Sequence, residues 1–486
     1  MIRVNCFILA ENFPEITDLL TALQENRAVK SIFLPENIKS TGEKTATFNF
    51  NNFTGTSFVQ GIAEVSKDVD YVLLLTQATA VRLNQFALER MLNIARDTGA
   101  VKIYSDYYEI KEGQRCPHPV IDYQKGSLRD DFNFGPLVLY STKALRVATS
   151  YMKQNFEHAG LYYLRLKISQ LGEFIRIPEF LYTISEQDTR KSGQKLFDYV
   201  DPKNRQVQLE MEEAVTEHLK DINAWLSPAH TPITTNHTAF KRKASVIIPV
   251  RNRSKTIADA IQSVLNQKTD FNFNLIIVDN HSTDPTTEII HAYAQKDKRI
   301  IHIVPESREL GIGGCWNRAV HDKNCGMYAI QLDSDDIYKD ENTLQKIVDV
   351  FEREKCAMVV GSYQLVNFDL EEIPPGIIDH KEWTDNNGKN NALRINGLGA
   401  PRAFFTPVLR EINIPNVSYG EDYAVGLAIS RTYKIGRIYE NIYLCRRWDD
   451  NSDAALDILK QNGHNTYKDR IRTIELKARQ NNNKSL

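Results

Sequence analysis

The sequence predicts an α/β protein made of two similar units in tandem, each a mostly parallel sheet flanked by helices. Three observations carry this reading. Short β-branched runs alternate with helix-like segments, the rhythm of β-α-β connections. The rhythm begins again after residue 243. The two halves also match each other without gaps over two stretches, a sign of internal duplication. Tyr71–Leu75 aligns with Tyr328–Leu332 at an offset of 257, which also lays Ala100–Tyr104 over Ala357–Gly361. Leu166–Ser169 aligns with Leu427–Ser430 at an offset of 261, continuing through Arg176 against Arg437 and Tyr182 against Tyr443.

Along the chain, RVNCFILA reads as a first strand, PEITDLLTALQEN as a helix and SIFLPE as a second strand. QVQLEMEEAVTEHLKDINAWL, from 206, reads as an acidic helix, and the Pro-, Thr- and Asn-rich SPAHTPITTNHTAFKRK as a linker. ASVIIPV then starts the second unit. In the helix that follows, Ile257, Ile261, Val264 and Leu265 fall on one face. The expected divisions are a first domain at 1–205, helix and linker at 206–243, a second domain at 244–453, and a tail at 454–486 of one or two surface helices with a frayed end.

Composition narrows the function. The 486 residues carry 60 Lys and Arg against 62 Asp and Glu, a net charge of −2, which argues against a nucleic-acid binder. Six cysteines without a C-x-x-C pair suggest reduced thiols, neither a zinc site nor a disulfide framework, and a cytoplasmic setting. Glu11 and Pro14 break the N-terminal apolar run too early for a signal peptide, and no run approaches the 18 apolar residues of a membrane span. Peripheral contact with a membrane surface stays open through Lys468, Arg470, Arg472 and Lys477 in the tail.

Chemistry concentrates in the second half. YAIQLDSDDIY ends an apolar strand in Asp333, Ser334, Asp335 and Asp336. Carboxylates this close repel one another, and hard oxygen ligands suit Mg²⁺ or Mn²⁺; the same residues also read as a cap for the next helix. Gly311, Gly313 and Gly314 allow either close approach of a ligand to the backbone or a tight turn into a helix. Glu421 and Asp422 read either as a general base with its neighbour or as an acidic helix start favoured by the macrodipole.

The ordered set KASVIIPVRNR, LIIVDNHSTDPT, GIGGCWNRA, QLDSDD, YGEDYA and CRRW resembles the family 2 glycosyltransferases of GT-A fold, over residues 244 to about 450. The resemblance implies two GT-A-like, Rossmann-like units, of which only the second keeps the chemistry. It implies a metal-dependent inverting transfer from a UDP- or GDP-sugar to a hydroxyl of a glycan, lipid-linked or other acceptor, in glycan or polysaccharide synthesis. By resemblance, Pro249, Val250 and Arg251 flank the nucleoside, with Asp279 and Asn280 on the base side. Asn280 departs from the family's usual second acid, and an amide donates as well as accepts. Asn280 also reads as a plain turn residue. Asp333 is assigned to ribose or sugar and Asp335 to Mn²⁺ or Mg²⁺. Asp422 is the expected base and Glu421 positions the acceptor. Arg308 and Asn317 become donor-site neighbours. Arg446, Arg447 and Trp448 resemble the R-x-W element of some members, without the leading Gln of the processive pattern, which counts against a processive polymer synthase. Arg447 is assigned to the diphosphate. Trp383, Arg394 and Trp448 are candidates for acceptor contact.

At the same offsets, Asp333, Ser334 and Asp335 fall on Thr76, Gln77 and Ala78, and Glu421 and Asp422 on Gly160 and Leu161. The first unit is therefore expected to be degenerate, with Asp106 and Asp130 outside any catalytic place. Two other readings are a non-catalytic nucleotide-sugar-binding or scaffold protein, and a sugar-phosphate nucleotidyltransferase; PVRNRSK lacks the glycine-rich first loop of the latter.

Overall fold

The computed structural model describes residues 2–10, 16–39, 42–185, 205–235, 239–448 and 456–484. The chain divides into two compact units, one of Met1–Trp225 with Leu456–Leu486, the other of Leu226–Ala455.

In the first unit, β1 (Val4–Ile8), β2 (Val29–Leu34), β3 (Thr45–Thr47), β4 (Tyr71–Leu75), β5 (Val81–Leu83), β6 (Lys102–Lys111), β7 (Gln114–His118), β8 (Leu137–Ser141) and β9 (Phe174–Ser185) form one sheet. Its order is β3-β2-β1-β4-β8-β6-β9-β5, with β7 on β6. In the second unit the strands are β10 (Ala244–Val250), β11 (Phe273–Asp279), β12 (Ile300–Ile303), β13 (Tyr328–Gln331), β14 (Ile337–Tyr338), β15 (Met358–Val366), β16 (Glu372–Ile378), β17 (Arg402–Phe405) and β18 (Ile435–Arg446). Their order is β12-β11-β10-β13-β17-β15-β18-β14, with β16 on β15. The two sheets follow closely similar spatial orders, and the expected pair of like folds is what the structure shows.

Each sheet is mixed rather than uniformly parallel. β10, β11, β12 and β13 run parallel, as do β15 and β18, but β17 lies antiparallel between β13 and β15. β8 does the same in the first unit. The parallel half explains the unbroken apolar runs, since both faces are covered: every residue of FNLIIVD in β11 is buried. The helix Ile257–Leu265 covers this half with Ile257, Ala260, Ile261 and Val264 buried. Each of the larger of these side chains contributes about 1.5–3 kcal/mol on burial.

The repeat also refines the alignment. Val101 N donates to Glu173 O and Ala357 N to Lys434 O, so Val101, not Ala100, is the counterpart of Ala357, an offset one residue shorter than the gapless match. Leu83 pairs with Tyr182 as Tyr338 pairs with Tyr443, so residues 76–80 stand opposite 333–335 with two extra residues. No acid occurs among Thr76, Gln77, Ala78, Thr79, Ala80 and Val81.

Two sequence expectations need correction. The helix Arg205–Asp221 is no linker element: Glu217 accepts from Lys167 Nζ and from the Tyr163 hydroxyl, each at 2.6 Å, inside the first unit. The tail is one helix, Ile458–Lys484, and it belongs to the first unit as well. There Ser127 Oγ donates to Asp469 at 2.8 Å, and Arg472 Nη1 donates to Asp469 at 2.8 Å, with both Asp469 and Arg472 at 0% exposure. Lys468 is buried too, which leaves Arg470 and Lys477 exposed from the basic set expected at a membrane. Parts of the expected first domain (186–204), linker (236–238), second domain (449–453) and tail (454–455, 485–486) lie outside the described residues. Among the described residues, no helix is long and apolar enough to cross a membrane.

Candidate active site

The carboxyl edge of the parallel strands gathers the polar segments of the second unit, where open α/β sheets place ligands. β10 and β11 end level, Val250 opposite Asp279. Their two following loops are laced together. Asn280 N donates to Val250 O at 2.8 Å, Asn252 N to Ser282 Oγ at 3.0 Å, and Thr283 N to Asn252 Oδ1 at 2.7 Å. Asn252 and His281 take φ of 52° and 58°, the left-handed region that asparagine tolerates best among non-glycine residues.

Asp279 does not face the edge. It is fully buried, its Oδ1 accepting from Ser282 N at 3.0 Å and its Oδ2 from Thr287 Oγ1 at 2.5 Å. Burial raises its pKa, but hydrogen bonds from His302, Thr287 and Ser282 outweigh that and hold it well below the usual carboxylate range. Its part is to fix the loop. Asn280 donates from Nδ2 to Leu310 O at 2.8 Å, while its Oδ1 is buried with no hydrogen-bond partner among the described residues. Pro249 is half-buried, Val250 buried, and Arg251 and Arg308 project into solvent.

The second group of residues follows β13. Gln331 reads both sides of the turn, its Nε2 donating to Asp333 Oδ1 at 2.8 Å and its Oε1 accepting from Arg402 N at 3.1 Å. Asp333 N donates to the Tyr443 hydroxyl at 3.1 Å. Asp335 is half-buried; its Oδ2 accepts from Trp448 Nε1 at 3.3 Å and lies 3.6 Å from Arg253 Nε. Asp336 Oδ1 accepts from Arg446 N at 2.8 Å. Burial, partly offset by Arg402, raises the Asp333 pKa, and burial with repulsion from Asp333 and Asp335 raises that of Asp336 well above the usual range.

The third group opens the helix Glu421–Ser430. Gly420 precedes it at φ 78°, which turns the chain so that Glu421 and Asp422 occupy the first turn. Asp422 Oδ2 lies 2.5 Å from Arg402 Nη1. Glu421 is pushed up to about 7 by burial and then by Asp422, and its Oε2 is buried without a partner among the described residues. The segment leading to Gly420 is seated on the helix Ile312–Val320. Gly311 N donates to Asn416 Oδ1 at 2.8 Å and Gly313 N to Val417 O at 2.9 Å. A Cβ at Gly313 would lie 1.8 Å from Pro415 O, and one at Gly314 2.2 Å from Asn416 Oδ1. The glycine cluster therefore serves packing of the acid-bearing segment, which corrects the alternative of a ligand approach. Asn317 is likewise occupied, donating to Ile414 O at 2.6 Å and accepting from Ile414 N at 2.9 Å.

The structure thus gathers Asp333, Glu421 and Asp422 around Arg402, whose charge is felt by all three, while Asp335 faces Arg253 and Trp448. It does not bring Trp383 and Arg394 out to meet an acceptor. Trp383 is 6% exposed, with Gly388 packed on its ring and Arg437 5.6 Å from its centroid; Arg394 is 1% exposed and donates to Asn391 Oδ1 at 2.8 Å. Trp448 sits beside Asp335 and packs edge-on against Phe368 at 5.3 Å. Arg447 donates its backbone N to Val366 O, while Arg446 is the arginine that enters the acidic turn, Nε to Asp335 O at 2.5 Å and Nη1 to Asp259 at 2.7 Å. Sequence reasoning missed Arg402, Arg253, Asp259 and Tyr443. Arg402 had one available signal, its place at the start of the strand beside β13.

The residues fit a divalent cation of a particular kind. Among the described residues no three His, Cys, Asp or Glu side chains converge as a closed cage. Asp335, half-buried beside Arg253 and Trp448, with Asp333 two residues away, would give a cation few protein ligands, as suits one that also takes phosphate oxygens and water.

The first unit lacks these groups. The place of Glu421 is taken by Gly160, which opens the helix Gly160–Ile168, and the amides before it are closed off: Glu210 Oε2 accepts from His158 N at 2.7 Å and Ala159 N at 3.1 Å. Asp106 is spent on Arg176, in a two-pronged pair at 2.8 Å and 2.8 Å.

Comparison with known proteins agrees with this division. A glycosyltransferase of Rickettsia bellii is 30% identical over 215 residues, 43% of this chain and 29% of that protein, so the chain spans less than a third of that relative's length. A putative teichuronic acid biosynthesis glycosyltransferase of Bacillus subtilis, TuaG, is 29% identical over 193 residues, 40% of this chain and 73% of that protein. Among solved structures, S. aureus TarS 1-349 with UDP-GlcNAc aligns at 20% identity and TM-score 0.36 over 47% of this chain and 70% of its own. The mannosyltransferase PcManGT of Pyrobaculum calidifontis, with GDP-Man and Mn2+, aligns at 14% and TM-score 0.36 over 55% and 81%. Residues 245–412 match the profile of Glycosyl transferase family 2, and the second unit of this chain is a domain of that family.

Proposed function

We propose that the second unit transfers a sugar from a nucleoside-diphosphate sugar to an acceptor hydroxyl, with inversion, in glycan or polysaccharide synthesis. The observation that carries the reading is the placing of Asp333, Glu421 and Asp422 about one guanidinium, Arg402, with Asp335 close enough to Asp333 to repel it. The relative TuaG, named for teichuronic acid biosynthesis, supports the glycan part of it.

The nucleoside lies against the laced loops after β10 and β11, at Pro249, Val250 and Arg251. The orphan Oδ1 of Asn280 accepts an N–H of the base, and Arg308 and Arg447 approach the diphosphate. Asp333 holds ribose or sugar. Asp335 would hold Mn²⁺ or Mg²⁺, which when bound offsets charge developing on the leaving diphosphate. Trp448 and Arg253 orient the Asp335 carboxylate. Asp422, held by Arg402, accepts the proton of the acceptor hydroxyl as its oxygen attacks the anomeric carbon and the diphosphate leaves. Glu421, close to half-protonated at neutral pH, positions that hydroxyl. One displacement inverts the anomeric centre.

The test is the stereochemistry of slow donor hydrolysis followed by proton NMR. From an α-linked nucleotide sugar the β anomer is expected first. First appearance of the α anomer would exclude the single displacement.

A further inference from the structure

We propose that the first unit binds an anionic carbohydrate in a cavity where the second unit keeps its acidic turn. The cavity holds about 650 Å³, the size of small-molecule sites, and its polar lining includes Asp18, Arg82, Asn84, Gln85, Arg115 and Ser185.

The repeat explains why it exists. β5 and β9 pair with Val81 opposite Ile184 and Leu83 opposite Tyr182, as β14 and β18 pair with Tyr338 opposite Tyr443. Ser185 therefore takes the position of Arg446, and Ala80 and Val81 those of Asp335 and Asp336. In the second unit the Arg446 side chain fills this corner, spanning from Asp335 O to Asp259 in the first turn of the helix Ile257–Leu265. Asp18, in the first turn of the helix Thr17–Glu25, occupies the corresponding place. A serine for an arginine leaves the corner open, and the backbone there is held by Ser185 N donating to Ala80 O at 3.3 Å.

Its chemistry has been inverted. Ala80 and Val81 stand where the second unit has Asp335 and Asp336, and two exposed arginines, Arg82 and Arg115, outnumber the one acid of the lining, Asp18. Arg115 is pre-set: Nη2 donates to Asn84 Oδ1 at 3.2 Å, and the guanidinium lies 3.8 Å from the Tyr108 ring centroid. Such a site takes an anion directly, with no metal between. The carbohydrate part of the inference rests on the transferase reading of the second unit; the anion part does not.

The experiment is calorimetric titration of the full chain with two probes, an oligouronate and a phosphorylated oligosaccharide, with neutral maltopentaose and UDP as controls. The two probes separate carboxylate from phosphate as the source of charge. Binding of at least one probe is expected, weakened tenfold or more by Arg82→Ala with Arg115→Ala, and by Ser185→Arg, which returns the bulk found in the second unit. It is expected to persist in Asp335→Ala. Unchanged affinity in both first-unit variants overturns the proposal, as does loss in Asp335→Ala alone or no binding of either probe. Donor turnover of the same preparations reports separately on the transferase reading.

Discussion

Arg402 Nη1 lies 2.5 Å from Asp422 Oδ2, at the start of a strand whose first amide is also fixed by the side chain of Gln331. One residue thereby couples the turn after β13 to the helix that begins at Glu421. In the proposed transfer, a base held in this way would be oriented before the acceptor arrives.

Asp422→Asn removes the base and keeps its shape. Transfer is expected to fall by about 10²–10⁴-fold, with the far-UV spectrum intact and Tm moved by only a few degrees. Activity within tenfold of the parent in a folded variant would remove Asp422 from the role.

Glu421 gives a pH signature. Its pKa lies near 7 against an ordinary value of 4.5. The native state then holds the proton more tightly than the unfolded chain, so the associated stability is present in full below about pH 4.5 and lost as pH rises through 7. Glu421→Gln does not titrate, and its Tm is expected to gain on the parent as pH rises from 5 to 8, by at most about 3 kcal/mol in stability. A gap that stays constant with pH would show that Glu421 ionises normally.

Gly313→Ala separates packing from ligand approach. The new methyl meets Pro415 O at 1.8 Å, so a loss of about 1–3 kcal/mol is expected from chemical denaturation. Normal stability with weakened donor binding would restore the ligand reading of the glycines.

Asp106→Asn tests the degeneracy of the first unit. Asp106 is 3% exposed and accepts from Val120 N at 2.9 Å as well as from Arg176. Breaking this pair is expected to cost about 3 kcal/mol and to leave turnover per folded molecule unchanged. A folded variant without activity would count against the assignment of catalysis to the second unit alone.

The duplication was legible because strand cores such as Tyr71–Leu75 and Tyr328–Leu332 keep their apolar pattern under burial. The inserted pair within 76–80 was not, since loops carry no periodicity to betray a shift. Asp335, Glu421 and Asp422 could be picked out because acids at strand and helix ends are dense and ordered. Arg402 was missed because its partners come from segments far apart in sequence, and its place at a strand start was the one local signal it offered. Trp383 and Arg394 misled for the opposite reason. A polar, glycine-rich stretch reads as a surface loop, but here Gly388 packs on the Trp383 ring, and Trp383 and Arg394 are both buried.

The most direct measurement is the thermal shift of the chain with UDP-, GDP- and dTDP-sugars, with and without Mn²⁺. A ligand at 100 times its dissociation constant stabilises by about 2.7 kcal/mol. A rise in Tm with one nucleotide class is predicted, dependent on the metal and lost in Asp335→Ala. No shift with any nucleotide in either Mn²⁺ or Mg²⁺ would contradict the transferase reading and leave the second unit without a donor site.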